Sequence, residues 1–517
     1  MNRTCLFPRI IYPIITMMIF SGCNNENNTQ DTLPNIVIVL ADDLGYSDIG
    51  AFGGEIETPY LDQLAEDGIR FTQMHNTSKC FPSRAALLTG LYAQQVNMHE
   101  SPGDFHHGVM FGEVLKTAGY RTLFVGKHHG TDNPYDWGFD HYYGMRDGGG
   151  NYFNPGLQRD GEEMPAQKRY GKRVFAFDQE IVQPYTPPAD YYATDAWTDW
   201  ALELLGKYEG KKDPFLLYLS YQAPHDPLQA PEESIDKYEG VYEKGYGEIA
   251  RARYERQLSS GLLDERYHRS APTFPVWDDL SDSVKQDEII RMQVYAAMID
   301  RLDENIGRVV EYLKESGEWE NTVFMFMSDN GASAEVVEVG DGPIGTMTRW
   351  ASLKRNWANV ANTPFRFYKN YSYEGGTATP FIVHWPRGIP NAGGVNHTLL
   401  HFIDIMPTLI DISGAAYPEE YKGEKVVPLE GRSMLPLFKG ESIERTEPLF
   451  FDWNRGSALR NDRWKLVRGR DSEGSWELYD MASDRTETKN LSAENPELME
   501  ELKEQWQNWA KRVGIGE

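Results

Sequence analysis

Cysteine is scarce in this chain, with three in 517 residues: Cys5, Cys23 and Cys80. Three thiols cannot build a disulfide framework, so the fold must be held by its core. Positive charge is also in deficit, 51 Lys and Arg against 78 Asp and Glu, for a net charge of −27. That balance argues against nucleic acid or an anionic membrane surface as the main partner. An anionic ligand would need a local cluster of cations or a metal to overcome it. The N-terminal apolar run over residues 10–20, interrupted by Pro13, is too short for an ordinary membrane span. What the chain does have is 40% hydrophobic residues with 29 Tyr, 23 Phe and 13 Trp, enough to fill a sizeable core and to exclude a largely disordered polymer. The length fits one large enzyme-sized domain plus something smaller.

The first two cysteines belong to an export-like segment. Arg3 and Arg9 precede the apolar run, which ends in Phe20-Ser21-Gly22-Cys23 and passes into the polar Asn24-Asn25-Glu26-Asn27-Asn28. This layout resembles a bacterial lipobox. It predicts a signal peptide over residues 1–22, lipidation of Cys23, a short linker over 23–33, and an exported lipoprotein anchored in the membrane on the periplasmic side or at the cell surface. Losing residues 1–22 removes two Arg and no acid, which takes the net charge from −27 to −29.

From Pro34 onward, short apolar strands alternate with amphipathic helices, the pattern of an α/β fold with a largely parallel sheet. Strands are predicted at 35–40, 69–74, 122–125, 215–219, 323–327 and 381–384, and helices at 58–67, 83–88, 111–118, 194–207 and 287–314. In the last helix Val294, Met298, Leu302, Ile306, Val309 and Leu313 recur at helical spacing and read as core. After residue 404 the texture changes to short alternating strands at 449–453, 464–467 and 477–479, then a charged helix over about 496–513. The boundaries predicted are a catalytic domain over 34–425 and a small C-terminal α+β subdomain over 426–517. Two stretches, 146–188 and 237–279, fit neither pattern and are expected as long irregular loops, the places to look for ligand selectivity.

In an open α/β sheet ligands bind beyond the carboxyl ends of the strands, and here five predicted strand ends are loaded. Asp42 and Asp43 follow the first, Cys80 and Arg84 the second, Lys127, His128 and His129 the third, His225 the fourth, and Asp329 and Asn330 the fifth. Three carboxylates and an amide oxygen brought together repel unless a cation sits among them, and all-oxygen ligation points to calcium or magnesium. Cys80-Phe81-Pro82-Ser83-Arg84 runs into Ala85-Ala86-Leu87-Leu88-Thr89-Gly90. Pro82 suits a first helical turn and places Cys80 at a helix N-terminus, where a thiolate is favoured. The residues alone therefore suggest a thiolate hydrolase with His129 or His225 as base, although such chemistry has no need of the oxygen-donor ligands.

The CFPSRAALLTG segment closely resembles the signature of the type I sulfatase family, Cys-x-Pro-Ser-Arg before a short helix ending in Thr-Gly. The resemblance extends over Leu40-Ala41-Asp42-Asp43-Leu44-Gly45-Tyr46, Gly126-Lys127-His128-His129-Gly130, Ala223-Pro224-His225, Met327-Ser328-Asp329-Asn330-Gly331 and Tyr368-Lys369-Asn370 ahead of Glu374-Gly375-Gly376-Thr377. His128 stands where the family usually has Trp, and Lys79 and Phe81 are bulkier than the residues often found beside the cysteine. The resemblance implies an alkaline-phosphatase-like sandwich: a large mixed, mostly parallel sheet flanked by helices, with a smaller C-terminal antiparallel sheet.

It also implies roles. Cys80 would be oxidised by a maturation enzyme to formylglycine, whose hydrate is the nucleophile. Asp42, Asp43, Asp329, Asn330 and that modified Cys80 would hold one Ca²⁺, with Mg²⁺ the lesser choice. Arg84 and Lys127 would stabilise the diol and the metal-side oxygens, and Lys369 would meet the sulfate from the other side. His225 would protonate the leaving alcohol and His129 would deprotonate the remaining hydroxyl. The expected activity is hydrolysis of a sulfate ester, the expected substrate a sulfated polysaccharide or oligosaccharide. Two other readings stand beside it: a phosphonate monoester or phosphodiester hydrolase of the same superfold, and a non-catalytic glycan-binding lipoprotein.

Overall fold

The computed structural model describes Met1, residues 32–471 and residues 474–515. The predicted signal peptide and lipidation site, with Cys5 and Cys23, lie outside the described residues. Leu33–Glu517 is one compact unit. Among the described residues no helix is long and apolar enough to cross a membrane.

A mixed sheet runs through this unit. From one edge to the other its strands are Gly394–Asn396, Ile69–His75, Ala378–His384, Thr322–Ser328, Asn35–Asp42, Phe215–Pro224, Arg121–Gly126, His141–Met145, Phe175–Phe177 and Glu180–Val182, with Leu400–His401 also paired to the second. The five strands from Thr322–Ser328 to His141–Met145 are parallel, while Ala378–His384 runs antiparallel to both neighbours. Both faces are covered, which explains why the first strand reads as a continuous apolar run. Ile36, Ile38 and Leu40 enter one core cluster, Val37, Val39 and Ala41 the other. The longest helix, Asp282–Glu315, carries the predicted core stripe and begins with Ser281 Oγ accepting from the Val284 N–H.

Near the C-terminus, Leu449–Trp453, Gly456–Arg460, Trp464–Arg468 and Glu477–Asp480 form a four-stranded antiparallel sheet, followed by the helix Pro496–Arg512. Leu449, Phe451, Leu459 and Leu466 share a core cluster with Phe71, Phe81 and Met406 of the main body. The fold is therefore the one the resemblance implied, a large mostly parallel sheet between helices with a small antiparallel sheet attached.

Three details differ from expectation. The strand Gly456–Arg460 has no counterpart in the sequence reading, because its hairpin turns on Asn454 and Arg455, both left-handed (φ 47° and 71°), rather than on a recognisable Asn-Gly. The 146–188 stretch is not wholly irregular, since Phe175–Phe177 and Glu180–Val182 form a hairpin that extends the main sheet. The 237–279 stretch contains a fifteen-residue helix, Gly245–Ser259. Its inward face includes Arg253 and Gln257 beside Tyr246, Ile249 and Ala250, so apolar periodicity cannot reveal it. Arg253 is buried against Asp48 at 2.6 Å and Glu55 at 2.7 Å, which makes a buried cation tolerable.

Candidate active site

Register brings the motif residues together. Ala41 is level with Ser328, so Asp42 and Asp329 leave adjacent parallel strands at the same height. Asp42 is level with Pro224 on the other side, which sets His225 beside them. Gly126 is level with Ser220, and the Lys127 N–H donates to the Ser220 carbonyl at 2.8 Å. The helix Cys80–Thr89 rises against this edge, starting with Cys80 itself, three residues earlier than its predicted start.

The acidic cluster is buried and held from all sides. Asp42, Asp43, Asp329 and Asn330 are at most 1% exposed. Asp43 takes a left-handed backbone (φ 65°), which Asp tolerates better than most residues. Its N–H donates to Asp329 Oδ1 at 3.3 Å, and the Asn330 amide donates to Asp43 Oδ1 at 2.6 Å. Arg84 Nε donates to Asp329 Oδ2 at 2.8 Å, and its Nη1 donates to the Lys127 carbonyl at 3.0 Å. Lys127 donates to Asp42. Lys369 Nζ is 2.8 Å from Asp43 Oδ2 and 3.5 Å from Glu335.

Burial alone would raise the Asp42 carboxyl, but Lys127, His225, Arg84 and Lys369 hold it below the usual carboxylate range. Asp329 is pushed up to about 7 by burial and by the Asp42 charge.

These residues fit a hard cation. Asp42 Oδ1 and Asn330 Oδ1 are buried oxygens without a hydrogen-bond partner, an arrangement costly for polar atoms unless something else binds them. Asp42, Cys80 and Asp329 offer ligand atoms within 4.8 Å of one another, and so do Asp42, Asp43 and His225. Two carboxylates, a third close by and an amide oxygen are the donors calcium or magnesium prefers.

A cavity of about 460 Å³ opens over this floor, and Cys80, His129 and His225 line it. Arg84, Lys127, Lys369 and the carboxylates lie behind them. Burial would lower the His225 imidazole, yet Asp43, Asp42 and Asp226 outweigh it and raise its affinity for a proton. His129 shows the opposite balance. Burial, then Lys127, Arg84, Lys79 and His225, push it well below its ordinary value, so it stays neutral and able to accept a proton. With no cation among the carboxylates, their surroundings thus push the two histidines in opposite directions. His128 takes no part in the cavity lining. It is buried, bonded to Asp132 at 2.8 Å and stacked on Phe105.

Sequence reasoning missed several supporting residues. Asp226, directly after His225, lies 2.9 Å from His225 Nδ1 and accepts from Trp350 Nε1 at 3.0 Å and Ser352 Oγ at 2.6 Å. The hydrogen bond between His225 Nδ1 and the Asp226 backbone carbonyl, at 2.6 Å with the carboxylate alongside, fixes the ring so that Nε2 faces Asp43 at 3.6 Å. The signal was present in Ala223-Pro224-His225-Asp226, since a carboxylate beside a histidine commonly orients it. Glu335 sits between Lys79 and Lys369, each at 3.5 Å. Lys369 first, followed by Lys79, lowers its carboxyl to about 2 against the pull of burial. The Tyr295 hydroxyl lies 3.0 Å from the Asp43 carbonyl and 2.8 Å from Asp48 Oδ2, bracing the Asp42-Asp43 loop from the long helix. Gly148 permits the close approach of His129, for a Cβ there would lie 2.6 Å from its Nε2.

Comparison with known proteins agrees with this geometry. A family model described as "Sulfatase" matches residues 34–415. The chain belongs to the sulfatase family. A second model, "N-sulphoglucosamine sulphohydrolase, C-terminal", matches residues 365–512 of this sulfatase. The arylsulfatase of Klebsiella aerogenes is 32% identical over 81% of this chain and 94% of its own length. The N-acetylglucosamine-6-O-sulfatase of Bacteroides thetaiotaomicron is 24% identical over 96% of this chain and 90% of its own. Among solved structures, Ps i-CgsB in complex with k-i-k-neocarrahexaose superposes with a TM-score of 0.67 at 26% identity, covering 92% of this chain and 93% of that one. The sulfatase described here is a sulfuric ester hydrolase of the type I family, with the alkaline-phosphatase-like fold.

Proposed function

We propose that this sulfatase removes sulfate from a sulfated polysaccharide or oligosaccharide outside the cytoplasm, through a formylglycine made from Cys80 by a maturation enzyme and a calcium ion held by Asp42, Asp43, Asp329 and Asn330. The observation that carries the reading is the single floor of one cavity. A cysteine at the start of a helix, a cation-compatible oxygen cluster, three fixed cations and two oppositely tuned histidines converge there. Calcium would supply electrophilic assistance to the ester oxygens, and the formylglycine hydrate would supply the attacking oxygen.

The chain's own residues do the rest. Arg84, Lys127 and Lys369 offset the negative charge of the sulfate, which the acidic protein as a whole repels. His225, steered by Asp226 and lining the cavity beside Cys80, gives a proton to the departing sugar oxygen. His129, kept neutral, takes a proton from the second hydroxyl of the nucleophile, so that sulfate leaves and the aldehyde is restored for rehydration by water. The oligosaccharide bound to Ps i-CgsB and the amino-sugar named for the Bacteroides relative support a carbohydrate substrate. The lipobox-like Phe20-Ser21-Gly22-Cys23 supports export and anchoring through Cys23.

Mass spectrometry of the peptide spanning Cys80, from protein made in cells that mature sulfatases, tests the nucleophile, with an aldehyde expected and an unmodified thiol in fully active enzyme fatal to it. Sulfate release from a panel of sulfated oligosaccharides, with a matched aryl phosphodiester as comparator, tests the substrate class. Turnover of the phosphodiester in preference to every sulfate ester would overturn it.

A further inference from the structure

The catalytic cavity has two unlike walls. One is the floor just described. The other comes from the 146–173 stretch, which turns Arg146, Lys168, Arg169 and Arg173 into the same space, with Asp147 as the acid among them. Lys168 has partners elsewhere: its Nζ is 3.6 Å from Asp226, 3.7 Å from Glu335 and 4.9 Å from the centre of the Trp350 ring. The three arginines are not matched in this way.

The Arg173 side chain is only 9% exposed, its nearest carboxylate oxygen is that of Asp147 at 4.0 Å, and its Nε is buried without a hydrogen-bond partner. Arg146 Nε is likewise buried and unpartnered. Among the described residues the side chains of Arg146 and Arg169 make no ion pair, and the buried Arg173 has only its distant Asp147 contact, whereas Arg84, Arg253 and Arg460, also buried, are tightly paired.

Burial, opposed by Asp147 and reinforced by the nearby Arg169, lowers the hold of Arg173 on its proton. The local backbone is nevertheless fixed. The Arg146 N–H donates to the Val174 carbonyl at 2.9 Å, and Asp147 Oδ2 accepts from the Val174 N–H at 2.6 Å. A cationic wall running from the buried Arg173 through the half-buried Arg146 to the exposed Arg169, with spare forked donors on a rigid frame in a protein of net charge −27, is arranged for an oxyanion.

We propose that Arg146, Arg169 and Arg173 form a second anion subsite, which binds a further sulfate or carboxylate carried by the substrate beside the scissile sulfate ester. The proposal rests on the sulfate-ester reading of the catalytic floor, and it makes the enzyme selective for polyanionic glycans over simple monosulfates. It also gives the 146–188 stretch its function.

The test compares three substrates: 4-nitrophenyl sulfate, a disulfated amino-sugar, and a disaccharide of a monosulfated amino-sugar and a uronate. Arg173→Gln and, on an exposed side chain that perturbs the fold less, Arg169→Gln are expected to lower the ratio of kcat/KM for a doubly anionic substrate to that for the aryl sulfate by roughly tenfold to a hundredfold. The substrate on which the ratio falls identifies the group as sulfate or carboxylate. A ratio that stays within about threefold of wild type for both variants, below the loss expected for one charge-assisted bond, overturns the subsite.

Equilibrium binding of the same two sugars to Cys80→Ala, with and without Arg173→Gln or Arg169→Gln, keeps the two readings apart. A matching rise in Kd without any sulfate release by wild type would sink the proposed reaction and keep the subsite. An unchanged Kd for both arginine variants would sink the subsite alone.

Discussion

Two regions of this molecule bury clusters of charge, and they are built differently. At the junction between the main sheet and the small C-terminal sheet, Glu374 meets His75 at 3.2 Å, Arg460 at 2.7 Å, Lys465 at 3.0 Å and Arg485 at 3.5 Å. Glu487 meets Lys465 at 2.7 Å and accepts the Glu374 N–H at 3.0 Å. Every carboxylate oxygen in that junction has a cation or an N–H beside it. At the catalytic floor the cations are as numerous, yet Asp42 Oδ1 and Asn330 Oδ1 remain without donors. The first cluster holds two sheets together; its unbonded atoms are Arg460 Nε, Arg485 Nε and Glu487 Oε1, the last of which still has Lys465 Nζ beside it. The second leaves a carboxylate oxygen and an amide oxygen with no donor at all, and it is these bare oxygens that mark it as a place where a cation fits.

The largest effect that would break this comparison is expected from substitution within the oxygen cluster proposed to hold calcium. Asp329→Asn should lower sulfatase kcat/KM by roughly a thousandfold or more, while the urea midpoint of the metal-free protein stays near wild type or rises, because burial and the Asp42 charge already oppose ionisation of Asp329. Glu374→Gln should do the reverse. It leaves Arg460 and Lys465 underpaired and costs about 3–5 kcal/mol of stability, with kcat/KM of the folded fraction changed only a few-fold. If Glu374→Gln proved as damaging to turnover as Asp329→Asn at unchanged stability, the distinction would fail.

Next in size, His225→Gln should reduce kcat on a sugar sulfate by about 10² to 10⁴, and less on an aryl sulfate whose leaving oxygen needs no proton. Equal losses on both substrates would remove His225 from the acid role. Adding Ca²⁺ after chelation should raise the melting temperature, with about 2.7 kcal/mol expected at a hundredfold excess over Kd. Calorimetry should find that shift retained in Glu374→Gln and lost in Asp329→Asn.

The smallest effect concerns pH. Burial, against the pull of Glu374, lowers His75 to about 4, so the unfolded chain takes up a proton that the folded one refuses between roughly pH 6.5 and 4. The His75 contribution to stability is therefore full above the unfolded value and lost as pH falls through that window. Urea midpoints across that range should slope by up to about one proton less in His75→Gln than in wild type; an unchanged slope would mean His75 is already protonated in the fold.

Much of the site was legible because its residues sit where strands end, and strand ends are easy to find in a sequence of continuous apolar runs. Asp42, Asp329, Lys127 and His225 each follow such a run within a few residues. The parts that were not legible act through partners distant in sequence. Glu335 matters because Lys369 and Lys79 fold onto it, and Tyr295 because the long helix passes under the Asp43 loop. Arg253 looks like a solvated charge until Asp48 and Glu55 close around it. Arg146, Lys168, Arg169 and Arg173 read as a polar stretch, since nothing local says that four cations face one cavity. Periodicity reports what is apolar, whereas this site is made largely of buried polar groups whose cost is met by contacts that only the fold creates.

The way the small sheet closes over the molecule bears on the life of the growing chain. Trp453, on its first strand, packs edge-on against Phe81, the neighbour of Cys80, with ring centres 5.1 Å apart, and Cys80 itself ends 1% exposed. The segment that carries this thiol leaves the ribosome long before the residues that roof it. Until the last strands arrive, it is an uncovered stretch of nascent polypeptide. Any catalyst that must grip Cys80 and its flanking side chains has its opportunity in that interval, and the speed with which the C-terminal sheet docks sets how long the opportunity lasts.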